Sequence, residues 1–332
     1  MRHVVFILLA AICFGTTGTA QEFGPDGASA LSVGATRIAI GGGALALVAW
    51  LSTRVFRRGA GDIARAQSRN TGAAVESNTA GRIPVTPEGA ISERTTTGRT
   101  SAPTWLVIAL GAAGVVAYQP AFFAGTSING VAVGTIVALG SAPILTGALE
   151  WAVTRVFPGV VWLVATAVAT VGVILLTGVG GADAISIEGL LASLGAGASY
   201  AVYALASKRL LVRDWAPTSA MGSIFGWAAA ASVPLMLVTD LRWLVTPEGA
   251  AMALWLGLVT TTVAYVLFAR GLVGLTAATV STLTLAEPLT ATLLGILILN
   301  ERLSTSAVLG IMVLVLGLVI LVSPRRVPAG SA

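Results

Sequence analysis

The chain has 332 residues, of which 56% are hydrophobic and 10% are charged, with a formal net charge of +5 and a mean hydropathy of +0.90. A soluble domain carries about 25% charged residues, so this composition predicts a protein that lies mostly within lipid. One cysteine, Cys13, and one histidine, His3, exclude an intrachain disulfide, a cysteine-based zinc site and His-triad or HExxH chemistry. We therefore expect no metal and no cofactor, and the lack of a GxxxxGK[ST] motif excludes direct use of ATP through a Walker site.

The hydropathy pattern predicts an all-α membrane protein with ten transmembrane helices, because each apolar run has about the ~20 residues that cross ~30 Å of hydrocarbon. The predicted helices are residues 4–20, 31–53, 105–124, 131–151, 160–177, 189–210, 218–238, 250–269, 276–299 and 304–322. The first run could instead be a signal peptide, since it follows a basic start and ends in small residues. We favour a helix, because residues 8–15 resemble residues 190–197 at the start of the second half.

The segment after the second predicted helix, residues 57–103, is rich in Arg, Ser, Thr, Asn, Gly and Pro. Such a composition buries too little apolar surface to fold, so we expect a flexible polar cytoplasmic loop. A regulatory insert and a tolerated disordered insertion are the two interpretations of its length.

The two halves of the chain resemble each other when shifted by about 145 positions. The shift places Pro143 on Pro288, and it also pairs Gly172 with Gly317 and Phe123 with Phe268. Five helices in each copy is an odd number, so the second copy must insert upside down, as in many secondary transporters. The predicted boundaries are residues 1–56 and 104–178 for the first repeat, 57–103 for the loop, 186–323 for the second repeat and 324–332 for a cytoplasmic tail.

The distribution of Lys and Arg predicts the orientation of the chain in the membrane. With the N-terminus inside, 16 of the 19 basic residues lie in cytoplasmic segments, whereas Arg242 and Arg302 lie in outer ones. We therefore expect both termini in the cytoplasm, an even number of helices, and a multi-pass protein of the cell (plasma or inner) membrane. Because the positive charges occupy one set of loops, the net charge does not indicate binding to nucleic acid.

The remaining basic residue, Arg37, lies inside the second predicted helix, in the outer half of the membrane. A buried arginine must be paired or face water. Its planar guanidinium suits a carboxylate, so Arg37 is a candidate anchor for an anionic group of a substrate. A structural pair with backbone carbonyls or with Glu287 is the alternative.

Four tyrosines fall inside predicted helices rather than at their ends: Tyr118, Tyr200, Tyr203 and Tyr265. Tyr118 and Tyr265 occupy near-equivalent positions in the two repeats, and Gln119 adds a polar group beside the first of them. Buried hydroxyl groups need hydrogen-bond partners, which water or substrate in a central cavity would supply. Core packing is the alternative for each tyrosine.

Other charged and aromatic residues are predicted to be structural. Glu150, at the cytoplasmic end of the fourth helix, could pair with Arg155, and Glu301 lies at a turn before Ser304, which is a candidate N-cap. Five tryptophans near helix ends are typical of interfacial anchors: Trp105, Trp151, Trp162, Trp243 and Trp255.

The ninth predicted helix carries a single charge, Glu287, with about eleven residues on either side, which places its carboxylate near the bilayer midplane. A charge there costs about 3 kcal/mol or more and usually has a function. The following Pro288 cannot donate a backbone hydrogen bond, so we expect a hinge with a free Thr284 carbonyl beside the carboxylate, and a second hinge at Pro143. The alternative is a structural role, in which Glu287 holds two helices together.

The C-terminal segment reads AEP, then a small and apolar run, then NERLS, then an apolar helix interrupted by glycines. The residues of this pattern are Glu287, Pro288, Glu301, Leu303, Gly310 and Gly317. The pattern resembles the EamA-type family of the drug/metabolite transporter superfamily, and the resemblance covers most of the chain, more faintly in the N-terminal half. It implies ten helices in two inverted five-helix repeats and transport of small metabolites. Arg37 looks like the arginine of the family's second helix, whereas the long loop departs from the family.

We therefore expect a secondary active transporter without enzymatic activity, which exposes a central cavity to one side at a time and exchanges protons through Glu287. The resemblance implies export of small metabolites or amino-acid-like solutes. The residues expected to bind the solute or couple its transport are Glu287, Arg37, Tyr118, Tyr265, Gln119 and Thr284. The expected partners are the solute and the lipid bilayer, and a homodimer is left open.

Two other classes of protein are considered. An integral-membrane enzyme acting on lipid-linked substrates would need Asp, His or Lys clustered at the membrane interface, and the sequence has no such cluster. A non-transporting scaffold or sensor would use residues 57–103 as a docking arm.

Overall fold

The computed structural model describes residues 1–75, 102–177, 185–300 and 304–323, and the side chains of all of these except 55–75. Within these ranges the regular structure is entirely helical, as predicted. The helices are α1 (Arg2–Glu22), α2 (Ala30–Val75), α3 (Thr104–Thr154), α4 (Val160–Thr177), α5 (Ile187–Val212), α6 (Pro217–Leu237), α7 (Pro247–Leu254), α8 (Ala264–Gly274), α9 (Ala277–Leu283), α10 (Ala286–Leu299) and α11 (Thr305–Val322). A 3-10 helix (Arg242–Val245) precedes α7, and a π-helical segment (Trp255–Val263) joins α7 to α8.

In the described part of the chain, nine helical segments are long and apolar enough to cross a membrane. One of them, α3, has 51 residues. A straight helix of that length would measure about 77 Å, more than twice a ~30 Å hydrocarbon core. Gly130 interrupts it with φ 80° and ψ 156°, a conformation that glycine adopts without a steric penalty. Thr126 and Gly134 contact each other across this break, so α3 folds back on itself as two arms, residues 104–129 and 131–154.

Three predicted segments differ from the observed ones. The second helix does not end before the predicted loop but continues to Val75, and the Ala- and Arg-rich composition of residues 57–75 favours a helix. Residues 76–101 of that loop lie outside the described residues. The eighth helix is longer than predicted, spanning Pro247–Gly274, and contains the π-helical segment. The ninth is not continuous but is broken at Thr284 and Leu285.

Helices from the two halves of the chain pack in antiparallel pairs with reciprocal contacts. In the pair α2 and α6, Gly42 lies against the Phe225 carbonyl, and Gly222 lies against the Leu45 carbonyl. Because a glycine presents no side chain, the two backbones approach closely at each of these points.

The pair α4 and α11 shows the same reciprocity. Gly172 lies against the backbone of Leu314, and Gly317 lies against the backbone of Ala169. A shift of 145 positions converts the first contact into the second, which is the shift that relates the two halves of the sequence.

Polar contacts establish which helix ends share a face of the bundle. At the end that holds the start of α1, called here the N-terminal face, His3 Nδ1 lies 3.0 Å from the Arg270 carbonyl oxygen. At the opposite face, the Asn129 side-chain amide donates to the Ser186 carbonyl at 3.0 Å and accepts from the Ser186 N–H at 2.8 Å. The helix ends and described loops at the N-terminal face carry Arg2, Arg54, Arg155, Lys208, Arg209, Arg213 and Arg270, whereas Arg242 lies at the opposite face.

Candidate functional site

A cavity of about 90 Å³ lies inside the bundle, between helices from both halves of the chain. This volume is enough for several water molecules or for part of a small solute. All six residues predicted to bind solute or couple its transport line it: Arg37, Tyr118, Gln119, Tyr265, Thr284 and Glu287. The sequence distributes these residues over α2, α3, α8, α10 and the break before α10, and the tertiary structure brings them to one place.

The guanidinium of Arg37 is fixed by two hydrogen bonds along one edge. Its Nε donates to the Thr261 hydroxyl at 3.1 Å, and its Nη2 donates to the Thr260 carbonyl at 3.2 Å. Among the described residues it forms no ion pair with Glu287, so the predicted carbonyl partner is present and the predicted carboxylate partner is not. Nε and Nη2 form one edge of the planar fork, which leaves the Nη1–Nη2 edge available for a bidentate carboxylate.

The π-helical segment supplies both partners of Arg37. In an α-helix, the N–H of Ala264 would bond to the Thr260 carbonyl four residues earlier. Here it bonds to the Val259 and Thr261 carbonyls instead, and the Thr260 carbonyl accepts from Arg37. Wider turns of this kind occur often at functional sites.

Glu287 lies in the first turn of α10, where a proline can follow because its missing N–H would have no partner there. The expectation of a free Thr284 carbonyl is wrong: the N–H of Glu287 itself donates to that carbonyl at 2.9 Å and closes a tight turn. The Glu287 carboxylate is half-buried at the cavity and accepts no hydrogen bond from the described residues. Pro143 lies in the second arm of α3, where the helix continues without a break.

The tyrosines form one wall of the cavity. The Tyr200 hydroxyl lies 3.1 Å from the Thr284 hydroxyl, and the Tyr265 hydroxyl donates to the Tyr203 hydroxyl at 3.4 Å. The rings of Tyr200 and Tyr203 meet edge to face with centroids 4.9 Å apart. The hydroxyl of Tyr118 has no hydrogen-bond partner among the described residues, and its ring lines the same cavity. The hydroxyls of the other three tyrosines therefore have protein partners, whereas that of Tyr118 has none among the described residues.

Three residues have roles that the sequence did not reveal. Glu150 does not pair with Arg155 in the described structure; its carboxylate accepts from the backbone N–H groups of Ala277 and Ala278 at 3.1 and 2.8 Å. Two tryptophans assigned to the membrane interface, Trp162 and Trp243, are instead buried.

The buried tryptophans donate hydrogen bonds inside the bundle. The Trp162 indole donates to the Ala278 carbonyl and the Thr282 hydroxyl, both at 3.1 Å, and the Trp243 indole donates to the Ser32 hydroxyl at 2.7 Å. Trp105 and Trp151 are exposed, as the prediction requires. No sequence signal marked the difference, because all five lie near the ends of apolar runs.

Two predicted positions remain, Ser304 and Glu301. Ser304 caps α11, since its hydroxyl accepts from the Ala307 N–H at 3.1 Å. Glu301 lies outside the described residues. Thr261, which binds Arg37, was not predicted, although the run of three threonines at 260–262 in an apolar helix is a signal that could have identified it.

Comparisons with known proteins agree with this architecture. The model of the EamA-like transporter family matches residues 187–323. The chain is 36% identical over 331 residues to the uncharacterized transporter YwfM of Bacillus subtilis (strain 168), covering 99% of this chain and 97% of that protein. A solved structure described as "Crystal structure of protein" has the same fold, with a TM-score of 0.69, 18% identity and coverage of 96% of this chain and 97% of that one. The chain is therefore a multi-pass membrane protein that belongs to the EamA-like transporter family, consistent with the drug/metabolite transporter superfamily.

Proposed function

We propose that the protein is a secondary active transporter of small amino-acid-like solutes, which bind in the central cavity. The observation that carries this proposal is the arrangement of opposite charges there. The free edge of the Arg37 guanidinium would bind a solute carboxylate, and the unpaired Glu287 carboxylate would bind a solute ammonium group. The tyrosine wall would cover the rest of the solute, and its rings can also stabilise a cation.

The proposed architecture is ten transmembrane helices in two inverted five-helix repeats, the first formed by residues 1–56 and 104–178 and the second by residues 186–323. The fold-back of α3 at Gly130 supports ten crossings, since each arm has the length of one span. Reciprocal antiparallel contacts, such as Gly172 with Leu314 and Gly317 with Ala169, are what a two-fold axis in the membrane plane produces.

In the proposed mechanism the two repeats rock around the cavity and open it to one side of the membrane at a time. A proton bound at Glu287 would compete with the solute ammonium group for the same carboxylate. Exchange of one for the other as the cavity changes sides would couple solute export to proton entry. This role fits the general use of carboxylates near the midplane as proton relays in transporters. The cycle needs no bond-making chemistry, so no enzymatic activity forms part of the proposal.

The proposed location is the cell membrane, with the N-terminal face of the bundle in the cytoplasm. The basic residues of the described loops favour this orientation, because cytoplasmic loops carry an excess of Lys and Arg. A matched pair of exposed sites tests it: Val156 lies at the N-terminal face and Val245 at the opposite one. With Cys13 replaced by serine, a cysteine at 245 should react with an impermeant thiol reagent in intact cells, and one at 156 should not. The reverse pattern would overturn the orientation.

The transport proposal is tested with purified protein in proteoliposomes. A panel of amino-acid-like solutes should include at least one that is taken up saturably along an imposed pH gradient. The Glu287→Gln variant should lose gradient-driven uptake and keep its melting temperature. A folded Glu287→Gln protein that still uses the pH gradient would remove Glu287 from coupling, and no saturable uptake of any zwitterion would reject the solute class.

A further inference from the structure

The two faces of the bundle are closed to different extents. All but one of the residues of α9, which reaches the N-terminal face, are buried, whereas only Ala286 and Gly295 are buried in α10, which reaches the opposite face. On the second arm of α3, Thr146, Gly147 and Glu150 are buried near the N-terminal face, where Gly147 packs on Trp162 and Glu150 contacts α9. The closely packed α9, whose Ser281 lines the cavity, thus covers the cavity toward the N-terminal face.

Two charged side chains hold the turn between α8 and α9 at this sealed face. The Glu150 carboxylate, on α3, accepts from the N–H groups of Ala277 and Ala278 at the start of α9. The Lys208 ammonium, on α5, donates to the Leu272 carbonyl at 2.9 Å and the Val273 carbonyl at 3.3 Å at the end of α8. Each charge has the sign that the adjoining helix end favours: negative at an N-terminus and positive at a C-terminus.

The contacts of Glu150 cross the boundary that must open. It lies on the second arm of α3, and its partners lie on α9, so α9 cannot leave α3 without breaking both hydrogen bonds. Glu150 is only 7% exposed, which makes the separated carboxylate costly unless water enters with it. The Trp162 indole adds a bond to the same turn of α9 through the Ala278 carbonyl.

Among the described residues, the position equivalent to Glu150 holds no charged side chain. A shift of 145 positions places Gly295 where Glu150 stands in the first repeat, and glycine has no side chain that could cap a helix. The turn at Gly130 is held instead by neutral hydrogen bonds between Asn129 and Ser186. Charge-assisted hydrogen bonds are about twice as strong as neutral ones, so among the described contacts the turn between α8 and α9 is held more firmly than the turn at Gly130.

We propose that Glu150 is a latch that keeps the cavity closed at the N-terminal face, that Lys208 holds the turn between α8 and α9 in place for it, and that the latch is released when α9 moves away from α3. The proposal rests on the alternating access proposed above. The latch sets the balance between the two states of the transporter: weakening it shifts the population toward the state open at the N-terminal face. Neither residue touches the cavity, so both act on the conformation rather than on the solute.

The test measures access to the sealed path without any solute. Ser281 lines the cavity and is buried in α9, and a cysteine there is nearly isosteric with serine. In a Cys13→Ser background, Ser281→Cys is labelled in oriented vesicles by an impermeant thiol reagent added at either face. Glu150→Gln and Lys208→Met should each raise the labelling rate from the N-terminal face by about tenfold or more. Asn129→Ala is the matched control, because it removes neutral bonds at the other face, and it should leave that rate unchanged.

Three outcomes separate the possibilities. A rate that rises only from the N-terminal face supports the latch. Unchanged rates with lowered melting temperatures would show that Glu150 and Lys208 are static caps, and equal rises from both faces would show general loosening; either result overturns the proposal. If Glu150→Gln does not fold, Lys208→Met decides alone, since Lys208 is only half-buried. Because no solute is used, a failed latch leaves the uptake experiment, and hence the proposed function, to be judged separately.

Discussion

The two pieces of the broken ninth span, α9 and α10, have similar apolar sequences and different surroundings. α9 is held by a carboxylate, an indole and a threonine: Glu150, Trp162 and Thr166 contact it through Ala277, Ala278 and Thr282. α10 packs mainly against α1, and most of its residues are exposed or half-buried. The comparison teaches that hydropathy places both α9 and α10 in the membrane. Polar contacts with neighbouring helices then decide that α9, and not α10, is held firmly in the bundle.

The largest expected difference between the two pieces is in stability. Trp162→Ala removes a buried ring that packs on Gly147 and holds α9, so it should lower the free energy of unfolding by about 3–5 kcal/mol. Leu297→Ala on α10 is the control, because Leu297 is 76% exposed and its truncation should cost less than about 1 kcal/mol. Unfolding both variants in the same detergent measures the difference, and equal losses would contradict the contrast between α9 and α10.

The next effect concerns Arg37, the positive charge that lines the cavity. Arg37→Lys keeps the positive charge and loses the planar fork, so the apparent substrate constant should rise more than tenfold, or about 1.4 kcal/mol. The measurement is uptake kinetics in proteoliposomes, with the melting temperature as the control for folding. Unchanged kinetics in Arg37→Ala would remove Arg37 from the binding site.

A smaller effect on the apparent substrate constant is expected from changing Thr261, the residue that orients Arg37. Thr261→Val removes the hydroxyl that accepts from Arg37 Nε and should cost about 0.5–1.5 kcal/mol, a rise in the substrate constant of roughly two- to tenfold. Thr261→Ser keeps the hydroxyl and should behave like the natural protein. If valine and serine variants transport alike, the hydrogen bond to Nε does not position the guanidinium.

The smallest effect on uptake and stability is expected from a change in the polar segment predicted as a loop. Deleting residues 76–96, whose composition is polar and poor in aliphatic residues, should leave uptake and melting temperature nearly unchanged. Loss of uptake at normal expression would show that this segment takes part in transport, and would favour the regulatory interpretation of the loop.

Much of the candidate site was predictable because its residues are exceptions to the apolar composition of membrane-spanning helices. Arg37 and Glu287 are charges inside apolar runs, and the cost of placing a charge in hydrocarbon is a property of the position itself. Their partners were not predictable. The hydroxyl of Thr261 and the carbonyl of Thr260 reach Arg37 only because the helix widens into a π-helical segment 223 residues later in the chain.

The same distinction explains the wrong assignments of Trp162 and Glu150. A tryptophan near a helix end lies at the membrane interface if that end faces lipid headgroups, and it lies in the core if another helix covers it. Only the fold decides between these two environments. Glu150 lies five residues before Arg155, so a local pair was the simplest expectation, yet the N–H groups of Ala277 and Ala278 are its partners.

The sequence by itself determined the all-helical class, the apolar spans, the break near Glu287 and six of the polar residues that line the cavity. These follow from hydropathy, from the missing N–H of proline and from desolvation cost, all of which act over one or two helical turns. The tertiary structure alone decided which helices meet, how Arg37 is oriented, and which face of the cavity is sealed. Those features depend on contacts between residues distant in the chain, 64 positions for Lys208 and Leu272 and 224 for Arg37 and Thr261, for which no local pattern in the chain carries a signal.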